Sequence, residues 1–154
     1  MRGGEGALTR QEPRTLVVPA VLKEIDRVRA FLRDSIAGLA LGDEDRLKIE
    51  LALHEICVNI VMYAYPAGAA GSLSVRLWRC GASACIEVRD RGVPFDPASK
   101  PDPDLLAKVR RGQGGGLGVY LFKTLMDGFT YRREDGQNIL TIFKKLPTEP
   151  PAAQ

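Results

Sequence analysis

Several residue types are scarce in this chain of 154 residues, and their scarcity excludes some functions. It has one histidine, His54, and three cysteines, Cys57, Cys80 and Cys85. The cysteines are odd in number and form neither a Cys-x-x-Cys pair nor a zinc-ligand spacing. A structural zinc site is therefore not expected, and a reducing cytoplasm is the simplest predicted location.

Long apolar runs and a strong charge bias are also absent. No run of about 18 apolar residues occurs, and no apolar run follows basic residues near the start, so neither a membrane span nor a signal peptide is expected. The net charge is +3, from 22 basic and 19 acidic residues, which does not predict a nucleic-acid partner. With 45% hydrophobic and 27% charged residues, the composition is typical of one globular domain.

The two ends of the chain differ in composition from the middle. Residues 1–12 are glycine-rich and charged, and we predict a flexible tail. Residues 147–154 are rich in proline and alanine, and we predict a second disordered tail. Residues 13–146 form the predicted domain, with no internal repeat to divide it.

Hydrophobic periodicity predicts the secondary structure of the first half. A strand is expected at Arg14–Pro19, followed by an amphipathic helix over Val21–Leu39. A second, more apolar helix is expected over Glu44–Tyr65, with Asp43 as its N-cap.

In the second half, strict alternation predicts a hairpin, and helical spacing resumes only after a long loop rich in glycine and proline at Gly92–Gly116. The order β-α-α-β-β-loop-α-β-β predicts an α+β two-layer sandwich, with helices on one face of a mainly antiparallel mixed sheet. The predicted elements are strands at Leu73–Leu77, Ala84–Arg89, Phe129–Arg133 and Asn138–Lys145, and a helix at Leu117–Met126.

Three segments carry residues that are suited to chemistry, although each is common when taken alone. Glu55 and Asn59 lie four residues apart, so they share one face of the apolar second helix, where unpartnered polar groups are costly. Asp90 follows a strand and precedes Gly92, an arrangement that suits recognition of a planar base but also occurs in ordinary turns. The run Gly112–Gly118 opens a helix and could wrap an anion, although a flexible linker has the same composition.

The order of these segments is more specific than any one of them. Together they resemble the N box and the two glycine boxes of the GHKL (Bergerat-fold) ATPase superfamily. The run from Gly115 to Leu121, with Leu125-Met126-Asp127, is similar to that of the anti-sigma-factor serine/threonine kinases. The resemblance extends over about Val17 to Lys145.

This resemblance implies ATP and Mg²⁺ as cofactors and a role for each matching residue. Asn59 would bind Mg²⁺, and Glu55 would act as the catalytic base or orient the attacking hydroxyl. Asp90 would bind the adenine 6-amino group, and Gly92 would give the base room. Thr141 would help to fix Asp90 through water.

The second glycine box would approach the phosphates through Gly114, Gly116, Leu117 and Gly118. Residues 97–113 would form a lid over the nucleotide, and Arg111 is our preferred cation for the γ-phosphate among its basic residues. The chain departs from the family at Tyr63, where related proteins often have histidine.

The resemblance predicts a serine/threonine protein kinase that acts as an anti-sigma factor. Its substrate would be a STAS-domain anti-sigma-factor antagonist, its sequestered partner a sigma factor, and its assembly a homodimer. Two alternatives remain open. One is a module that binds ATP only to hold a partner, and the other is a detached histidine-kinase catalytic domain.

Overall fold

The computed structural model describes residues 13–99 and 117–148. Within these ranges the predicted α+β fold is confirmed, with helices against a sheet. The elements are strands β1 (Arg14–Pro19), β2 (Ser72–Cys80), β3 (Ser83–Asp90), β4 (Gly128–Glu134) and β5 (Gln137–Lys145), and helices α1 (Ile25–Ile36), α2 (Asp43–Asn59) and α3 (Leu117–Leu125).

The five strands form one sheet in the order β1-β2-β3-β5-β4, and all four pairings are antiparallel. Opposite residues in such pairings share a face, so Val18, Leu73 and Val88 all lie on the side that carries the core. The helices cover this side with Leu32, Ile49 and Phe122, among others. Asp135 and Gly136 make the two-residue turn between β4 and β5 with positive φ values of 52° and 75°, as an Asp-Gly hairpin turn requires.

The first predicted helix is shorter than expected. A 3-10 turn at Leu22–Glu24 precedes α1, and α1 ends at Ile36 rather than at Leu39. Arg46 of α2 explains the end, because its guanidinium donates to the carbonyls of Ile36, Leu39 and Leu41 at 3.0, 2.7 and 3.0 Å. The three carbonyls bind the Arg46 side chain instead of continuing the regular spacing of the helix.

The second predicted helix differs at both ends. Gly42, not Asp43, is the N-cap of α2, and no side chain caps it, so the predicted cap is wrong. The regular helix ends at Asn59, and Ile60–Ala64 continues as a π-helical turn. A π turn of this kind often occurs at functional sites. Here the π turn follows directly after Asn59, one of the candidate site residues predicted from the sequence.

Cys80 and Cys85 form a disulfide that closes the β2–β3 hairpin, with their Cα atoms 6.2 Å apart. The number and spacing of the cysteines did not predict this pair. Cys57 is free and buried in α2. None of the helices in the two described ranges combines the length and hydropathy that a bilayer crossing requires.

Candidate functional site

Asp90, the last residue of β3, has a carboxylate in a fixed orientation. Its side chain is 7% exposed. Its Oδ1 accepts two hydrogen bonds, from the Gly92 N–H at 2.8 Å and from Asn138 Nδ2 at 3.0 Å. No described residue donates a hydrogen bond to Oδ2, so this second oxygen is the one available to a ligand.

Asn138 lies directly opposite Asp90 on β5 and is 5% exposed. Besides binding Asp90, its Nδ2 donates to the Val93 carbonyl at 2.8 Å. Its Oδ1 accepts from the Tyr131 hydroxyl at 2.6 Å, from the Arg133 guanidinium at 3.1 Å and from the Phe95 N–H at 3.3 Å. The side chain of Asn138 therefore joins Asp90, the loop after β3 and strand β4.

Asn138 was not among the candidate residues predicted from the sequence. One signal could have found it, since an amide at the first position of the last predicted strand faces the end of β3 if the two strands pair in antiparallel fashion. Fixing that register needs the order of strands in the sheet, which periodicity does not provide.

Thr141 is not where its expected role requires it. It pairs with Glu87, three residues from the Asp90–Asn138 pair. Because side chains alternate along a strand, Thr141 and Glu87 lie on the opposite face of the sheet from Asp90. The residue of β5 that holds Asp90 is Asn138.

Gly92 packs against the π turn that follows α2. A Cβ built on it would lie 2.2 Å from the carbonyl oxygen of Ala64 and 2.5 Å from the Ala64 Cβ. The Val93 N–H donates to the same carbonyl at 2.8 Å. The missing side chain thus lets the loop after β3 pack against the π turn, so Gly92 makes room for Ala64.

Tyr65 supports the same junction. Its hydroxyl donates to the Ser72 carbonyl at 2.5 Å and accepts from the Arg91 N–H at 2.9 Å. The segment that follows α2 is therefore tied both to the start of β2 and to the loop that carries Gly92.

Glu55 and Asn59 meet the start of α3. A Cβ built on Gly118 would lie 3.1 Å from both Glu55 Oε2 and Asn59 Nδ2. Both side chains are half-buried, and neither forms a hydrogen bond or ion pair with a described residue. Half-buried polar groups without protein partners are free to bind a ligand.

The side chains of Glu55 and Asn59 fit a Mg²⁺ site in which most of the ligands are substrate phosphates and water. No group of three or more His, Cys, Asp or Glu residues in the described ranges could hold a metal ion. Mg²⁺ commonly binds through one or two protein oxygens together with substrate phosphates and water. The amide oxygen of Asn59 suits such a site.

The buried thiol of Cys57 lies on α2 between Glu55 and Asn59 in sequence. Burial raises the pKa of Cys57 to about 12. It stays a neutral thiol at physiological pH, so it is not a nucleophile.

Several expected site residues lie outside the described ranges. They include Gly114, Gly116, Arg111 and residues 100–113 of the expected lid. Leu117 is the first residue of α3, but its side chain is not described. The tails 1–12 and 149–154 also lie outside.

Comparison with known proteins agrees with this architecture. Residues 18–144 match the family model of the histidine kinase-like ATPase domain. A serine/threonine-protein kinase, BtrW of Bordetella bronchiseptica, is 29% identical over 97 residues, which cover 63% of this chain and 68% of that protein. The serine-protein kinase RsbW of Bacillus cereus is 32% identical over 119 residues, which cover 72% and 74%.

A solved structure is similar in fold. It contains the RsbU and RsbW domains of a Mycobacterium tuberculosis protein and matches with a TM-score of 0.65 at 18% identity. The match covers 94% of this chain and 35% of that one. At this identity the likeness concerns the fold alone.

Proposed function

Because this chain belongs to the family of histidine kinase-like ATPase domains, we propose that it is a serine/threonine protein kinase that uses ATP with Mg²⁺ and acts as an anti-sigma factor. Kinases named in the comparisons, BtrW and RsbW, support this at the level of the family. The observation that carries the proposal is the pairing of Glu55 and Asn59, both without partners among the described residues, at the start of α3.

Asp90 would recognise the base. Its free Oδ2 is an acceptor, and the 6-amino group of adenine is a donor. Because Oδ1 is already occupied by two N–H groups, the carboxylate meets the base without a change of orientation. Pre-set geometry of this kind lowers the cost of binding.

Asn59 would hold Mg²⁺, which supplies positive charge to the phosphates when bound. The N-terminal turn of α3 approaches the same place, and the free N–H groups of a helix start favour anions. Gly118 allows this approach because it has no side chain.

Glu55 would act as the base toward the protein substrate. As the serine Oγ bonds to the γ-phosphorus, the bond from phosphorus to the ADP oxygen breaks and the hydroxyl proton passes to Glu55. Most of the catalysis would come from positioning, which a rigid helix such as α2 provides. A module that only holds a partner has no use for this carboxylate.

The proposed protein substrate is a STAS-domain anti-sigma-factor antagonist, and the proposed sequestered partner is a sigma factor. We propose a homodimer as the working form, as the family resemblance implies, and the cytoplasm as its location, as the few cysteines indicate. In the cytoplasm, the Cys80–Cys85 disulfide would be subject to reduction to two thiols.

The first test is calorimetric titration of ATP with and without Mg²⁺. The wild type should bind Mg-ATP, Asp90→Asn should lose binding, and Asn59→Ala should lose the dependence on Mg²⁺. If the wild type binds no adenine nucleotide, the proposed function is wrong.

A second test separates the kinase from the ATP-binding module. Glu55→Gln should retain ATP affinity and lose phosphorylation of an antagonist protein encoded in the same genome. Glu44→Gln is the matched control, because Glu44 lies on the same helix with a side chain that is 83% exposed. If Glu55→Gln phosphorylates at the wild-type rate, Glu55 is not the base.

A further inference from the structure

We propose that Asn138 sets the selectivity of the site for adenine by holding Asp90 in a single orientation. This inference rests on the proposed function, because it assumes that Asp90 meets the base. Asn138 would act as a positioning residue, since its own polar atoms are occupied by protein groups.

The hydrogen-bond partners of Asn138 leave its amide only one orientation. Asp90 Oδ1 and the Val93 carbonyl can only accept, so both must face the Nδ2 side. The Arg133 guanidinium and the Phe95 N–H can only donate, so both must face Oδ1. A flipped amide would lose all four interactions.

This fixed amide also fixes the carboxylate of Asp90. One oxygen is held between Asn138 Nδ2 and the Gly92 N–H, at 3.0 and 2.8 Å. The carboxylate cannot rotate about its terminal bond without breaking both contacts. Its other oxygen therefore keeps one direction.

The loop beyond Asp90 depends on the same residue. Asn138 binds the backbone of Val93 and Phe95, and Arg133 donates to the Gly92 carbonyl at 2.8 Å. Asn138 thus supports both the Asp90 carboxylate and the loop beside it. Only an amide supplies two donors and an acceptor at this position, whereas leucine supplies neither and aspartate lacks the donors.

A hydrogen-bond acceptor in a fixed position, such as Asp90 Oδ2, discriminates between purines by the group at their position 6. The amino group of adenine donates to Oδ2, whereas the carbonyl of guanine would place one acceptor against another. A carboxylate that can rotate or withdraw loses this discrimination. Asn138 would therefore affect the affinity for adenine more than the affinity for a purine that has no 6-amino group.

The test compares ATP with purine riboside triphosphate, which has no 6-amino group, by calorimetry in the presence of Mg²⁺. The wild type should prefer ATP by about 10- to 100-fold, as expected for one hydrogen bond to a charged group. Asn138→Leu should reduce this preference to less than about threefold. Gln137→Leu removes the amide of the adjacent residue, which lies on the other face of the sheet and accepts from Arg89, and it should keep the wild-type preference.

Asn138→Asp provides a second variant of nearly the same shape, in case the leucine variant fails to fold. It places a second acceptor against Asp90 and should lose the preference as well. If the folded variants weaken both nucleotides equally, or keep the wild-type preference, Asn138 only supports the fold and the inference is wrong. Failure of the wild type to bind ATP would instead contradict the proposed function.

Discussion

Gly118 lies in the first turn of α3 at the point where that helix meets Glu55 and Asn59 of α2. A Cβ at this position would be 3.1 Å from two polar atoms, which is closer than ordinary van der Waals contact. The side chains of α2 would have to move by a few tenths of an ångström. A methyl group added at position 118 would therefore displace the Glu55 and Asn59 side chains, which the proposed kinase needs in place.

We predict that Gly118→Ala weakens Mg-ATP binding about tenfold without destabilising the fold. Alanine favours a helix over glycine by about 1 kcal/mol, so the free energy of unfolding should stay the same or rise. Titration calorimetry and urea denaturation measure the two effects. Thr124→Ala, at an exposed position on the same helix, serves as the control. Unchanged affinity in Gly118→Ala would show that α3 does not set the positions of Glu55 and Asn59.

Glu50 joins the two long helices, α1 and α2. It accepts hydrogen bonds from Arg33 at 2.8 Å and from Arg29 at 3.1 Å, both on α1. The hydrogen bond from Arg33 lowers the pKa of the Glu50 carboxyl, against the opposing effect of burial, and Arg29 adds to the lowering. The charged form is thus the one that holds α1 to α2.

We predict that Glu50→Gln lowers the free energy of unfolding by about 1 kcal/mol at pH 7. The lowered pKa of Glu50 means that its contribution is complete above the unfolded-state pKa of about 4.3 and disappears as the pH falls through the folded-state value. Urea denaturation at pH 7 and near pH 3 should therefore show a larger difference between wild type and variant at the higher pH. Glu44→Gln is the control, since its pair with Lys48 is exposed and long at 3.9 Å. An equal loss of unfolding free energy at the two pH values would mean that the charge of Glu50 does not contribute to stability.

The candidate site joins parts of the protein that are distant in sequence. Asp90 and Asn138 come from the sheet, whereas Glu55, Asn59 and Gly118 come from the helical layer. A nucleotide that contacts both layers would stabilise the entire domain, because unfolding either layer would release it.

We predict that Mg-ATP at about 100 times its dissociation constant raises the unfolding free energy by about 2.7 kcal/mol. For a domain of this size that corresponds to a rise in Tm of about 5–10 °C. Asp90→Asn should abolish the rise, and excess EDTA should reduce it. Scanning calorimetry at fixed protein concentration provides the measurement. The same rise in Asp90→Asn would place the nucleotide elsewhere.

Much of the fold could be predicted from periodicity. Within the described ranges, the five strands, the α+β class and the place of each helix followed from the spacing of apolar residues. The ends of helices were harder, because distant residues decide them. Arg46 binds the carbonyls beyond α1, and the loop at Val93 binds the π turn, so neither boundary is a local property.

The candidate site shows the same division. Glu55 and Asn59 were recognisable because their spacing on one helix puts them on the same face. Thr141 was assigned by resemblance, but the strand register puts it on the other face, with Asn138 beside Asp90 instead. The Cys80–Cys85 pair likewise depends on the hairpin register, which brings the two residues together across the turn.

The π turn at Ile60–Ala64 has a consequence for the length of the chain. Its backbone fits one residue more than an α-helix would over the same stretch, so it amounts to an insertion retained at the C-terminal end of α2. If the same residues wound as a regular α-helix, the extra residue would rotate Ala64 and Tyr65 by about 100°. Ala64 would then face away from Gly92, and the Tyr65 hydroxyl from Ser72 and Arg91. The π winding and the number of residues are therefore matched: a further inserted residue should disrupt these contacts, whereas deletion of one residue should be absorbed by a return to α-helical winding.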